Sequence, residues 1–470
     1  MKVIQSVNIF VHLILLTLLI SSIVHAQEKS KVNSKKLVLR VSDAIFLALR
    51  ENRSIKSAYL NRVAQKYSLA VAEDQFNPDL FITPTLKQDS SKSTADRSTT
   101  NGAGVSVNIP LPLKSGGKFN FIWDNQFTSP ESGDNSYNSS WRLNFTQPLL
   151  RGFGIDVTTS NLASARIAND NQILDLQSTI MQTITSVIQA HRSYQQAIRQ
   201  KKIAEKALKR NIKLLEVNKE LIKAGRLAKS QIIQAEADIA VKKLAVLTAE
   251  NNLVGSRLSL IQTIDIDQTI MIDPREKSMI QPLTTSLAEL QKIAFNNRPD
   301  YLKALNGINL SKIRLGVAKN RRLWTLNFEG EIGESNQDKN LGEALKGLAS
   351  LGESEWNAGL KLTIPFGDWF RHEPYVGALI DLKNQRISLK EIKQNIEIDI
   401  QNQLRNAKIR YQQVLIARQS KVLAKEKLKI ENERLRSGRS TNFQIVTFQN
   451  DLLNAEISEL DAGIAYKNSL

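Results

Sequence analysis

The sequence contains two copies of one pattern, and this feature constrains the fold most. Residues 48–53 (Ala-Leu-Arg-Glu-Asn-Arg) have a loose counterpart in residues 294–299 (Ala-Phe-Asn-Asn-Arg-Pro), 294 − 48 = 246 positions later. Residues 225–233 have a counterpart in 438–446, 438 − 225 = 213 positions later, and both begin with Gly-Arg. Self-similarity of this kind indicates two related structural units. Because each unit combines long helical patterns with isolated strands, we expect it to bury its surfaces through assembly.

The N-terminus has the composition of a secretory signal peptide. Lys2 supplies the positive end, 9–20 is mostly apolar, and Val-His-Ala at 24–26 resembles a cleavage site. The apolar run is short for a membrane span, which needs about 20 residues. We therefore predict a signal peptide over 1–26.

The remainder of the sequence has no run of 18 apolar residues and no cysteine. A transmembrane helix is therefore not expected after the signal peptide, and membrane insertion would require a closed β-barrel. The absence of cysteine excludes disulfides, thiolate metal sites and a lipid anchor on cysteine.

The formal charge of +18 raises the question of nucleic-acid binding. The basic residues concentrate in helical segments such as 199–202 and 206–213, whose other face is apolar and which lack interleaved aromatic residues. We therefore expect solvated helix faces and no nucleic-acid partner.

Alternating apolar and polar residues predict β-strands in both units. The alternation is clear at 105–109, 119–124, 141–146 and 356–364. Such segments are typical of outer-membrane strands, although the strands of soluble β-sandwiches alternate too. All five tryptophans lie in or beside these segments, which indicates an aromatic girdle at a membrane interface. The girdle candidates are Trp123, Trp141, Trp324 and Trp356, with Trp369 beside them.

Apolar residues at helical spacing predict very long helices. The stripe over 161–224 covers some 60 residues, and such a helix spans roughly 90 Å. Helices of this length need coiled-coil partners. Gly225 ends this helix and a second follows over 228–264. The second unit has a long helix to 437, a break at Gly438 and a last helix to the C-terminus.

The two units differ in the length of their strand blocks. The offset from Pro78 to Pro148 in the first unit is 148 − 78 = 70, whereas the offset from Trp324 to Pro365 in the second is 365 − 324 = 41. The difference, 70 − 41 = 29, leaves room for one more hairpin in the first unit, with its turn near 111–117. We expect about four strands in the first unit and two in the second.

These patterns divide the chain into four parts. We predict the signal peptide over 1–26, a first repeat over 27–265, a joint over 266–285 and a second repeat over 286–470. Before its strands, each repeat begins with a helix, at 42–75 in the first and ending near 317 in the second.

The sequence resembles the TolC-like outer-membrane efflux protein family. The resemblance rests on Ala-Leu-x-x-Asn at 48–52, on Gln-Pro-Leu-Leu-Arg-Gly-Phe-Gly at 147–154, and on Gly225 and Gly438, each followed by Gln-Ile and a hydrophobic residue. It covers the chain from about residue 39 to 470. The order of these motifs, repeated behind a signal peptide, is more specific than any one of them.

The resemblance implies an α+β membrane protein built from two internal repeats. Its strands would contribute to a trimeric outer-membrane β-barrel, which a long periplasmic α-helical coiled-coil barrel would continue. The implied function is an exit duct that carries substrates from an inner-membrane transporter and a periplasmic adaptor across the periplasm and the outer membrane. The implied partners are two further copies in a homotrimer, these two proteins and outer-membrane lipid.

The resemblance also indicates where the helical tips would act. Gly225, Arg226, Arg436, Gly438 and Arg439 are candidate contacts with the adaptor. Many family members narrow the tunnel with aspartates six and nine residues after the tip glycine. This chain instead has Gln231 and Gln234 in the first repeat and Gln444 and Thr447 in the second, which are candidate constriction residues. Glu236, Asp238 and Asp451 are acidic residues within a few turns, although solvated helix faces explain them more simply.

The sequence offers no constellation for catalysis. His191 and His372 are far apart, and we expect His191 to be packed or to line the pore. The glycine pair at 116–117 does not form a phosphate loop because position 112 is proline and position 119 is phenylalanine. We predict that the protein is not an enzyme and has no cofactor or metal site.

Two other functions remain open. A structural or adhesive coiled-coil surface protein would have continuous heptads without strand blocks, and a general diffusion porin would have more strands and no helix of the predicted length. The cargo is also open, because drug pumps, metal pumps and type I secretion of polypeptides use similar ducts.

Overall fold

The computed structural model describes residues 37–92, 97–131, 133–276, 280–349, 354–367 and 369–470, so the predicted signal peptide lies outside the described residues. The first half contains β1 (Leu37–Arg40), α1 (Val41–Glu51), α2 (Arg53–Asp74), β2 (Phe81–Lys92), β3 (Arg97–Pro112), β4 (Lys118–Pro130), β5 (Ser136–Pro148), α3 (Ile155–Thr158), α4 (Ser160–Lys223) and α5 (Ser230–Ile264). The second contains β6 (Ile272–Arg275), α6 (Leu287–Asn297), α7 (Pro299–Arg321), β7 (Thr325–Asp338), α8 (Leu341–Ala349), β8 (Glu355–Thr363), α9 (Trp369–Arg436) and α10 (Asn442–Asn468).

Six strands form one antiparallel sheet in the order β2-β3-β4-β5-β7-β8. The turn between β3 and β4 lies at Leu113–Gly117, where the Leu113 amide donates to the Gly117 carbonyl at 2.7 Å. Among the described residues β2 and β8 each pair on one side only. The sheet of one chain is therefore open at both edges.

The strand register places apolar residues on one face of this sheet. Ile82, Val107, Trp123 and Trp141 lie in one row across β2 to β5, because each is the register partner of the next. Phe121, Leu143, Ile332 and Trp356 form the next row across β4 to β8. The opposite face is polar. There Arg142 pairs with Asp124 at 3.6 Å.

Two helical hairpins extend from the sheet. The first consists of α4, which is 64 residues long, and α5. The second consists of α9, which is 68 residues long, and α10. Contacts between α4 and α10 join the hairpins. Near the helix ends, Leu214 of α4 packs in one apolar cluster with Leu428 and Leu435 of α9 and Ile445 and Leu452 of α10.

A second core joins the start of the described chain to the middle of the hairpins. Strands β1 and β6 pair in parallel, and Leu39 and Ile272 pack with Val187 and Tyr194 of α4 and with Ile261 of α5. The Tyr194 hydroxyl donates to the Ile272 carbonyl at 3.0 Å. This core fixes the joint between the two halves against the long helices.

The structure differs from the sequence prediction at the first helix. A single helix was expected over 42–75, but the chain breaks at Asn52 between α1 and α2. The Asn52 side chain accepts from the Ser54 amide at 2.9 Å and donates to the Thr263 carbonyl at 2.9 Å. A local helix cap and a contact with a residue distant in the sequence therefore break the helix at Asn52. The periodicity of apolar residues reveals neither of them.

Two further elements were not predicted. Between β7 and β8, where the sequence predicted a loop with Gly342 and Gly347 and no helix, the chain forms α8, which packs on β7 and β5. Ala344 is fully buried there, and the Asn336 amide donates to the carbonyls of Glu343 and Ala344 at 3.1 and 3.2 Å. Likewise, β6 lies in the joint predicted over 266–285, for which no strand was predicted. Its pairing with β1, at the other end of the first half, is a tertiary interaction.

Among the described residues, none of the helices combines the length and the apolar composition that a membrane-spanning helix requires.

Candidate functional site

Both helical hairpins turn through the same motif at their tips. After α4, Gly225 has φ +69, its amide donates to the Ile222 carbonyl at 2.9 Å, and the Arg226 amide donates to Leu221 at 2.9 Å. After α9, Gly438 has φ +72 and its amide donates to the Leu435 carbonyl at 3.0 Å. These are the bonds of the Schellman motif, whose left-handed position favours glycine. The candidate tip glycines therefore have a definite structural role.

The second tip has more side-chain support than the first. The buried carboxylate of Glu431 accepts from Ser440 Oγ at 2.6 Å and lies 3.4 Å from the Arg434 guanidinium. Thr441 then caps α10 by accepting from the Gln444 amide at 3.4 Å. At the first tip, Lys229 is the cap residue of α5 and makes no side-chain cap bond.

The three candidate arginines project from the tips. Arg226, Arg436 and Arg439 are exposed, and none makes a side-chain ion pair with another described residue. Arg226 and Arg439 directly follow the tip glycines, and Arg436 is the last residue of α9. The tips therefore present positive charge to solvent.

The candidate constriction residues all lie in the first turns after the tips. Gln231 and Gln234 belong to α5, and Gln444 and Thr447 belong to α10. Gln444 accepts from Ser440 Oγ at 3.3 Å, and Thr447 Oγ1 donates back to the Phe443 carbonyl at 2.9 Å. The four residues are thus distributed over both hairpins. A constriction formed by them remains a prediction.

A buried polar residue near the first tip was missed by the sequence reasoning. Asn218 of α4 is fully buried, and neither atom of its amide group has a hydrogen-bond partner among the described residues. Gln449 of α10 is also buried with an unpartnered Oε1. Such groups reduce the stability of a helix interface, because each loses its hydration. Only the tertiary structure shows which face of the helix is buried.

The candidate girdle tryptophans occupy two levels of the apolar face. Trp123 and Trp141 are direct cross-strand partners, and Trp356 is paired with Ile332 one pleat away. Trp324 lies immediately before β7, 334 − 324 = 10 positions along the chain from Glu334, which is the register partner of Trp141. Trp324 and Trp356 are exposed by 52% and 76%. Trp369 begins α9 and is also exposed.

The two histidines of interest have unrelated environments. His191 is fully buried, and its Nε2 donates to the Leu39 carbonyl at 3.0 Å. Burial lowers the pKa of His191, and the bond to Leu39 opposes that shift. His191 is therefore a packed residue, one of the two alternatives expected. His372 is exposed on α9. The described residues contain no cluster of His, Asp and Glu able to hold a metal ion.

Comparison with solved structures identifies the fold. The CmeC outer membrane channel of Campylobacter jejuni matches with a TM-score of 0.68 and 15% identity, over 91% of this chain and 83% of that chain. The outer membrane protein VceC of Vibrio cholerae matches with a TM-score of 0.68 and 14% identity, over 91% and 93%. The open-state MtrE outer membrane channel of Neisseria gonorrhoeae matches with a TM-score of 0.64 and 16% identity, over 94% and 91%. The chain has the TolC-like fold.

This confirms the resemblance at the level of the fold. The similar structures are channels rather than enzymes. No protein-family model matches the sequence, and no curated protein sequence matches it either. At identities of 14–16% the shared fold is what the comparison establishes.

Proposed function

We propose that the chain is one subunit of a homotrimeric exit duct in the cell outer membrane. The strands of three copies close a shared β-barrel, and their helices form a tunnel across the periplasm. The tips dock onto a periplasmic adaptor and an inner-membrane transporter, which supplies the cargo and the energy. The TolC-like fold supports this proposal, and the apolar face shared by all six strands is the observation that carries it.

The spacing of the tryptophans along β7 supports a membrane location for this face. Trp141 is paired with Glu334, and the offset from Trp324 to Glu334 along the chain is 334 − 324 = 10. Ten strand residues cover about 33 Å. With a strand tilt of about 40°, their height is about 25 Å, which is the height of the apolar band in outer-membrane proteins. Aromatic residues therefore lie at both limits of a band with the expected height.

A second apolar seam on α9 supports assembly from several copies. One seam, which includes Ala407, Val414 and Leu428, is buried within the chain. A second seam is offset from the first by two residues along α9. Its members are seven residues apart, and their side chains are exposed by 49–66%. It consists of Ile409, Ile416, Leu423 and Ile430. Heptad spacing is the pattern of a coiled-coil contact. A wall helix in a closed ring needs such contacts on both sides.

An exposed apolar row on α5 gives a partner for this seam. Ile233, Val241, Leu244 and Leu247 are exposed by 61–72% although α5 packs along α4. We infer that α5 of one copy packs beside α9 of the next. Burial of these side chains by a second copy would contribute about 25 cal/mol per Å² of apolar area.

The oligomeric mass and particle length of the detergent-extracted protein test this proposal. We expect three copies and a particle with a helical extension of roughly 90 Å. A monomer, or a compact particle without an extension, would reject the duct. The adhesive coiled-coil alternative predicts extraction without detergent, and the diffusion porin predicts no helical extension.

Charge reversal tests docking at the tips. We expect the combined variant Arg226→Glu, Arg436→Glu, Arg439→Glu to lose adaptor-dependent export while the trimer persists. The matched control is Lys390→Glu, an exposed position of α9 far from the tip. Unimpaired export by the triple variant would reject the arginines as docking residues. Comparing drug sensitivity, metal sensitivity and secreted proteins in a deletion strain would identify the cargo.

A further inference from the structure

The first half contributes four strands to the six-stranded sheet and the second half two, so we take β2 and β3 as the additional hairpin. The turn predicted near 111–117 instead joins β3 to β4. Strand β3 pairs with β4 from Pro112–Lys118 to Thr100–Pro130, a ladder at least as long as that between β4 and β5. Strand β2 pairs with β3 along its whole length. A flap standing apart from the sheet would not share this register. The hairpin therefore extends the wall that β4, β5, β7 and β8 form.

The chemistry of the hairpin matches that of the rest of the wall. Ile82 and Val107 continue the row of Trp123 and Trp141, and Leu86 lies on the same face of β2 at 87% exposure. On the opposite face Thr85 pairs with Gly104. An apolar face and a polar face are what lipid on one side and water on the other require.

The two free edges of the sheet are compatible with each other. Because the sheet is antiparallel with six strands, β2 and β8 run in opposite directions. A β8 edge can therefore pair with the β2 edge of a second copy and continue the alternation. All nine residues of β8 are exposed in the single chain. Six strands are too few to close alone, so the edges need partners.

We propose that β8 of each copy pairs with β2 of the next, so that the hairpin lies in the barrel and three copies form eighteen strands. This pairing rests on the proposed trimeric duct and goes beyond it, because it names the strands that meet between copies and gives the width of the barrel. With strands about 4.8 Å apart and a tilt of about 40°, eighteen strands give a ring about 36 Å across. Twelve strands, without the hairpin, would give about 24 Å.

The width bears on the class of cargo. Barrels of 16–18 strands leave an aqueous channel through their interior. An α-helix with its side chains is about 10–12 Å in diameter, so the eighteen-stranded outlet would pass a helical polypeptide as well as small solutes.

Disulfide cross-linking between copies tests the contact, and the chain has no cysteine of its own to interfere. Thr85→Cys on β2 is combined in turn with Asn357→Cys, Gly359→Cys and Lys361→Cys on β8, which all lie on the polar face. The three positions sample the unknown register between copies. The matched control replaces Thr85→Cys by Gln126→Cys on β4, on the same face. After oxidation in isolated outer membranes, we expect a covalent trimer from at least one Thr85 combination and none from Gln126.

The outcomes separate the two proposals. Cross-links from Gln126 but not from Thr85 would place the hairpin outside the ring and overturn the eighteen-stranded wall. Absence of any cross-link in a protein whose trimeric mass is established would also overturn it, while the duct would stand. A monomeric mass would reject the trimeric duct, and the inference would fail with it.

Discussion

Ser440 donates a hydrogen bond to the buried carboxylate of Glu431 at 2.6 Å, which ties the second tip turn back to the helix before it. Among the described residues, Ser440→Ala would leave this carboxylate with Arg434 as its remaining partner. Loss of one partner of a buried charged group costs about 1–3 kcal/mol. We expect backbone amides over 438–444 to exchange hydrogen about five-fold to a hundred-fold faster.

The control for this variant is Ser437→Ala. Ser437 Oγ donates to the Glu433 carbonyl at 3.2 Å at an exposed position, so its removal should leave exchange nearly unchanged. Equal acceleration in both variants would contradict the role of Glu431.

The tip glycines give a prediction that concerns backbone conformation alone. A Cβ at Gly225 or Gly438 would have no heavy atom of the described residues within 4 Å, so Ala adds no clash with them. The left-handed conformation still costs a side chain about 1–2 kcal/mol. We expect Gly225→Ala and Gly438→Ala to lower the free energy of tip opening, measured by hydrogen exchange, by about this amount.

Gly255 is the matched control for the tip glycines. It lies inside α5 without a positive φ, and a Cβ there also has no atom within 4 Å in the part of the chain that the structure describes. Because Ala favours a helix interior, Gly255→Ala should stabilise the protein by about 0.5–1 kcal/mol. Destabilisation at all three sites would show that packing, rather than backbone conformation, decides the effect.

The burial of His191 predicts that the stability of the second core, around β1 and β6, depends on pH. Burial lowers its pKa from the ordinary 6.5, although Glu276 opposes the shift. The unfolded chain therefore binds a proton at His191 more tightly than the folded protein does. The stability from neutral His191 is complete above pH 6.5 and is lost as pH falls towards the lowered pKa. Within that window stability changes by at most about 1.4 kcal/mol per pH unit.

We expect His191→Gln to flatten this part of the pH profile of thermal unfolding in detergent. Glutamine keeps an N–H donor for the Leu39 carbonyl but does not titrate. His372→Gln, at an exposed position of α9, should leave the profile unchanged. A parallel profile for wild type and His191→Gln would show that another group causes the dependence.

Glu276, in the joint between the halves, links α4 and α10 through largely buried charges. Arg192 of α4 lies 3.4 Å from it and Lys467 of α10 lies 3.2 Å from it, and all three side chains are exposed by 9–17%. Glu276→Gln would leave two cations without their counter-charge. Breaking a buried ion pair in this way costs about 3–5 kcal/mol. We expect a loss of this size in denaturant unfolding.

The control is Glu220→Gln, which removes the exposed pair with Lys223 at 2.9 Å. Exposed pairs on a helix contribute about 0.3–0.5 kcal/mol, so little change is expected. Similar losses in both variants would mean that the charge of Glu276 has no special structural role.

Much of the candidate site follows from short-range patterns in the sequence. Gly225 and Gly438 interrupt helical stripes, and a glycine at that point indicates a left-handed helix end. Alternation around Trp123 and Trp141 indicates strands because side chains project from opposite faces of a strand. These signals depend on neighbouring residues, so they can be read without the fold.

Other features depend on residues that are distant in the chain. Asn52 breaks the first helix partly through the Thr263 carbonyl, and β6 exists as a strand because β1 pairs with it. The burial of Asn218 and Glu431 depends on which helix faces meet. No local pattern specifies these contacts, since several faces of a long amphipathic helix can be buried.

The sequence by itself determined the long helices, their glycine ends, the apolar alternation of the strands and the excess length of the first strand block. These properties depend on spacing along the chain. The tertiary structure alone decided that the excess hairpin continues the sheet and that β6 in the joint pairs with β1 and packs against Val187 and Tyr194 of α4. Both depend on pairing between distant segments, whose register is set by packing across the whole chain.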